Sequence, residues 1–118
     1  MPSDLYSLAF AYQAVGTITG DEFDLHNTDI TEIFIRSGSA GTATASALVT
    51  IDAKDLDGNW FNAAVGTIAM GTAESKSFSF KRGMARGAVD PKALGVAGRV
   101  RTVVSNGSLE LGINVVGF

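Results

Sequence analysis

The chain has 118 residues, a formal net charge of −3 and no cysteine. That length suits a single domain, residues 1–118, and a 46% hydrophobic content excludes disorder, while the lack of cysteine excludes disulfides and thiolate chemistry. The start, "MPSDLYSLAFAYQAVG", has no basic leader region and no apolar run nears ~18 residues, so neither a signal peptide nor a membrane span is expected.

Met1 to Leu5 precede the first regular pattern and read as a short N-terminal arm. Tyr6, Leu8, Phe10 and Tyr12 then alternate with Ser7, Ala9, Ala11 and Gln13. Successive side chains of a strand point to opposite sides, so an apolar residue at every second position marks a strand with one buried face. The same period recurs at Phe23 and Leu25, and again at Ile33 and Ile35 against Glu32, Phe34 and Arg36. It continues at Ala47, Val49, Ile51 and Ala53 against Leu48, Thr50, Asp52 and Lys54, and at Phe78 and Phe80. The last two runs are Val100, Thr102 and Val104, then Leu109, Leu111, Ile113 and Val115.

Turn signals fall between the runs at residues 19–21, 37–41, 57–59, 70–72 and 106–107. The pattern predicts an all-β protein, an antiparallel sandwich or jelly roll of seven or eight strands. Asn106-Gly107 is the strongest hairpin signal, because both residues tolerate positive φ. It predicts that strands near 99–105 and 108–117 pair side by side. Residues 83–98 carry four glycines, one proline and no alternation, and are expected to form one long loop.

The stretch "DAKDLDGNWF" invites a calcium-loop reading. With Gly58 at the sixth position, however, the first and twelfth positions fall on Ala53 and Ala64, which have no ligand oxygen. A sharp corner built by Asp55 to Asn59 is the better reading, since Asp and Asn bond their own backbone in turns. Trp60, just after it, is expected in the core or at its edge. No metal site or cofactor is expected.

Catalytic motifs are scarce. His26 is the sole histidine and is expected to be solvated, no serine sits in a G-x-S-x-G elbow, and no glycine-rich loop follows a strand into a helix. The acids fall at turns and on strand faces predicted to be exposed, where their pKa values should be ordinary. The chain is not expected to be an enzyme. Charge is uneven: residues 1–80 hold ten acids and three bases, whereas Lys81, Arg82, Arg86, Lys92, Arg99 and Arg101 face only Asp90 in the next stretch. That segment has no aromatic residue for base stacking, so direct nucleic-acid binding is not expected. Arginines suit bidentate pairing with carboxylates, which points instead to an acidic protein partner.

The order "GTATASALVTIDAKDLDGNWFNAAVGTIAM", "KSFSFKRG" and "AGRVRTVVSNGSLELGINVVGF" resembles small virion proteins of tailed bacteriophages, over residues 40–118. The matching residues are Asp57, Gly58 and Trp60 of a D-G-x-x-W corner, one residue tighter here. Gly98, Arg99, Val103, Val104 and Gly107 match a closing hairpin, with Arg101 one place early. The resemblance implies a capsid decoration or cement subunit. Such a subunit would be assembled in the host cytoplasm, bound to the outer face of the major capsid protein lattice, and a homotrimer. The contact residues would be Met1, Pro2, Asp4, Leu5, Arg86, Asp90, Lys92, Arg99 and Arg101. The alternatives are another head or tail component, or a carbohydrate-binding sandwich with Trp60, Tyr6 and Tyr12 as its sugar platform.

Overall fold

The computed structural model describes residues 3–25, 28–41, 44–55, 57–81 and 97–118. They form nine strands: β1 (Ser3–Gln13), β2 (Gly16–Thr19), β3 (Phe23–Asp24), β4 (Ile30–Gly41), β5 (Ser46–Lys54), β6 (Trp60–Met70), β7 (Ser75–Lys81), β8 (Ala97–Ser105) and β9 (Leu109–Gly117). Sheet A has the order β1-β9-β4-β7 and sheet B the order β2-β8-β5-β6, with β3 paired to β8 beside it. Every pairing is antiparallel.

Apart from β3, the pairs are nested: β1 with β9, β2 with β8, β4 with β7 and β5 with β6. The described strands therefore form one long hairpin, closed at Asp55–Asn59 and rolled so that its paired strands, β1–β9 and β4–β7 in sheet A, β2–β8 and β5–β6 in sheet B, fall in two sheets. That wrapping is a jelly roll, and it settles the choice that strand periodicity left open.

The expected all-β sandwich is thus present, and the corner at Asp55–Asn59 is its central turn. The Asp55 carboxylate accepts from the backbone N–H groups of Asp57 and Asn59, at 2.9 and 2.8 Å. Asp55 N–H donates to the Asn59 carbonyl at 3.0 Å, and Gly58 takes φ +88°. These bonds hold the Asp55 carboxyl below its ordinary range, the Asn59 N–H contributing most and overriding the desolvation that pushes it up.

Two local expectations fail. Asn106-Gly107 does not close a hairpin, because β8 pairs with β2 and β5 in sheet B while β9 pairs with β1 and β4 in sheet A. Both residues do take positive φ, 62° and 127°. The tight turn is used to cross between sheets, so that the apolar faces of β8 and β9 meet across the core. Residues 37–41 do not turn either, since β4 runs on to Gly41 with an irregular register between Ser37 and Gly41.

The core lies between the sheets. Sheet A contributes Ile33, Ile35, Leu109, Leu111, Ile113 and Val115, and sheet B contributes Ala47, Val49, Ile51, Ala53, Val100 and Val104. Larger side chains on one sheet meet smaller ones on the other, which suits a thin sandwich. Thr102 also faces inward, fully buried, and its hydroxyl has no hydrogen-bond partner among the described residues.

The same topology sorts the loops. The starts of β1, β4, β6 and β8 and the ends of β5, β7 and β9 share one end of the sandwich. The long connection from β7 to β8 leaves and returns there.

Candidate interaction surfaces

On the outer face of sheet B, β5 and β8 bring Asp52 directly opposite Arg99 and Thr50 opposite Arg101. The Asp52 side chain is fully buried, although it lies on the face predicted to be solvated. Arg99 Nε and Arg101 Nε donate to its Oδ2 at 2.9 and 3.0 Å, and Arg101 Nη2 donates to Oδ1 at 3.1 Å. The backbone N–H of Ala63 supplies a fourth bond to Oδ1, at 2.9 Å.

The last bond explains an irregularity in β6. The β5–β6 register breaks after Ile51↔Gly66 and resumes at Ala53↔Phe61, so β6 carries extra residues there. Ala63, within the bulge, has φ 56°. The bulge turns an N–H that would otherwise serve the ladder towards the carboxylate. Burial pushes the Asp52 carboxyl pKa up, but the bonds from Arg101, Ala63 and Arg99 together bring it below the ordinary range. The expectation of ordinary acids on open strand faces therefore fails at Asp52. Alternation names the face of a residue, not whether long neighbours will cover it.

Trp60 lies on the same outer face, half-buried, and not in the core. Its register partner is Lys54, and both Trp60 and Arg99 are partly exposed. The Arg99 guanidinium carbon stands 4.1 Å from the indole centroid and Lys54 Nζ stands 5.6 Å from it. Lys54 also pairs with Glu22 at 3.1 Å. This end of sheet B is thus a cationic and aromatic cluster with one net positive charge on the Asp52–Arg99–Arg101 triad.

The outer face of sheet A is built differently. Cross-strand register sets out one row of Phe10, Gly112, Arg36 and Ser75, and a second of Ser7, Asn114, Phe34 and Ser77. Phe10 lies over Gly112, where a Cβ would meet the Phe10 Cα and ring at 3.2 Å. The Arg36 guanidinium stacks on Phe10 at 4.2 Å. Phe34 is 44% exposed and Tyr12 57%.

The expected contact residues part company. Asp4 and Leu5 belong to β1 and not to a free arm, with Asp4 opposite Val116 and Leu5 packed on the core against Gly117. Asn114 Nδ2 donates to the Asp4 carboxylate at 2.9 Å. Asp4 and Leu5 lie at the end of the sandwich where the β7–β8 connection attaches. Met1, Pro2, Arg86, Asp90, Lys92 and His26 lie outside the described residues. Trp60, Tyr6 and Tyr12 are not brought together. Trp60 is outside sheet B, Tyr12 is outside sheet A, and the Tyr6 ring packs on Gly20 and the core. Burial, with Asp21 adding to it, raises the Tyr6 phenol pKa. Among the described residues no group of three His, Cys, Asp or Glu side chains converges as metal ligands would.

No protein-family model matches the chain, and no curated protein matches it in sequence. Solved structures resemble it in fold. A structure of the infectious bursal disease virus Gx strain is 12% identical with TM-score 0.50, over 98% of this chain and 31% of the other. The T13 particle of the same virus is 15% identical with TM-score 0.51, over 98% and 30%. The SPBc2 prophage-derived protein YomS is 16% identical with TM-score 0.47, over 98% of this chain and 95% of its own. The chain spans about 30% of the length of the bursal disease virus chains it matches.

Proposed function

We propose that this chain is a structural virion protein, a capsid decoration or cement subunit that binds the outer face of a major capsid protein lattice. The observation that carries the reading is the Asp52–Arg99–Arg101 cluster with Trp60. It is a partly exposed cationic and aromatic surface at the same end of the jelly roll as Asp4 and Leu5. Aromatic and arginine side chains are the residue types that anchor protein interfaces. Asp52 fixes both guanidinium groups before any partner arrives, so little side-chain entropy is lost on docking. Jelly rolls are a common architecture of capsid domains, and the bursal disease virus likeness supports the fold side of this reading. Repetition on a lattice would turn weak single contacts into firm attachment.

The subunit would use Arg99, Arg101 and the segment carrying Arg86, Asp90 and Lys92 against acidic capsid side chains, as a trimer. The test is cosedimentation with expanded heads assembled from the major capsid protein of the source particle. Saturable binding is expected, lost on deletion of residues 84–94 and reduced at least tenfold by Trp60→Ala. Deletants that still saturate the heads would refute the assignment of that segment, and no binding of the intact chain would refute the reading as a whole. Light scattering on the free subunit tests the trimer, and antibody labelling of intact virions separates head from tail.

A further inference from the structure

A shallow groove of about 340 Å³ lies on the outer face of sheet A, over β4 and β7. Phe34, Arg36, Ser75, Lys76, Ser77 and Asn114 line it. The lining holds no carboxylate, and its unpaired cation among the described residues is Arg36, since Lys76 Nζ donates to the Ala69 carbonyl at 2.8 Å and stands 3.9 Å from Glu74. Phe34 leaves 44% of its surface open. Arg36 is held by stacking on Phe10, and none of its N–H groups has a hydrogen-bond partner among the described residues. The Ser75 and Ser77 hydroxyls are likewise unpaired among them, and Asn114 spends its Nδ2 on Asp4 and the Tyr6 carbonyl while its Oδ1 accepts nothing.

The geometry points to a binding site for an acidic sugar, a pyranose carrying a carboxylate. The volume is at the small end of ligand sites, enough for a mono- or disaccharide. The Phe34 ring offers a flat apolar surface to the C–H face of the sugar. Arg36 has the planar fork of donors that matches a carboxylate in two parallel bonds. Ser75, Ser77 and Asn114 Oδ1 provide the mixed donors and acceptors that vicinal hydroxyls require. An extended peptide would instead add to the edge strand β7, unpaired on that side among the described residues and in the plane of the sheet, whereas this groove opens on its face. Phe34 and Arg36 lie on the opposite sheet from the Arg99 and Arg101 of the proposed capsid contact, while Asn114 of the groove is hydrogen-bonded to Asp4. The groove also differs from the platform of Trp60, Tyr6 and Tyr12 expected from the sequence.

The experiment is titration calorimetry and saturation-transfer NMR of the intact chain. The probes are galacturonate, glucuronate and sialyl oligosaccharides, their methyl esters and triglutamate. Saturable binding of at least one acidic sugar is expected, weakened about tenfold by esterification and by Arg36→Ala or Phe34→Ala, with Leu48→Ser on sheet B without effect. Circular dichroism and melting of each variant check that it is folded. The proposal is overturned if no acidic sugar binds, if binding is undiminished in folded Arg36→Ala, or if the methyl esters bind equally. Equal binding of triglutamate would transfer the groove to acidic peptides and refute the sugar assignment.

Discussion

The two outer faces use the same pair of parts to opposite effect. On sheet A, Arg36 stacks on Phe10 at 4.2 Å; on sheet B, Arg99 stacks on Trp60 at 4.1 Å. The difference is one carboxylate. Asp52 sits between Arg99 and Arg101, fully buried, and accepts four hydrogen bonds. No acid stands in that position beside Arg36 among the described residues. The guanidinium groups of sheet B are therefore fixed in place through Nε and one Nη by an acid of the fold, whereas that of sheet A has no such anchor. An arginine on a sheet face tells little until its neighbours are known.

The largest expected effect follows from that difference. Asp52→Asn should leave two guanidinium groups side by side without their counter-charge, at a cost on the order of 3 kcal/mol. Arg36→Ala should change stability by less than about 0.5 kcal/mol, as for an exposed side chain. Urea unfolding of the two variants checks the pair, and equal losses would break the comparison.

Acid sharpens it. The folded Asp52 pKa is depressed, so its stabilisation is complete above the ordinary carboxylate range and is lost as pH falls through the depressed value. Asp55 shifts the same way. Asp52→Asn should therefore flatten the acid limb of a stability–pH curve, and Arg36→Ala should leave its shape unchanged.

Gly58→Ala comes next. Gly58 has room for a Cβ, with only Lys54 Cε near at 3.9 Å, but its φ of +88° does not suit alanine. A loss of about 1–2 kcal/mol is expected, read by urea unfolding, with slower refolding because this turn closes the β5–β6 hairpin. Thr102→Val should act in the other direction. Its hydroxyl is buried and unpartnered on the inner side of the same sheet, and replacing it should raise stability by about 1 kcal/mol in thermal melts. A loss there would mean that the hydroxyl has a partner, and that sheet B stores its polar stability on both faces.

Much of the fold was legible along the chain. Alternation located the core faces of β4, β5, β8 and β9, because burial on one side of a strand imposes period two on the residues themselves; it failed in β1, where a bulge between Leu8 and Ala11 turns Phe10 and Tyr12 to the outer face. The corner at Asp55–Asn59 was legible because its hydrogen bonds are made within five residues. Asn106-Gly107 misled because positive φ specifies a tight change of direction and is silent about which sheet the next strand joins. Leu5 misled because a single apolar residue shows no period. The site on sheet B was half legible: Arg99 and Arg101 stood out by charge, but Asp52 was assigned to open solvent.

By itself, then, the sequence determined which residues of β4, β5, β8 and β9 face inward and where the long hairpin closes, since both are matters of neighbours in the chain. The nesting of β1 with β9, the pairing of Asp52 with two arginines 47 and 49 residues away, and the groove beside Arg36 were decided only by the tertiary structure. Each depends on strands distant in sequence lying side by side in one register, and hydropathy repeated every two residues carries no record of which strands those are.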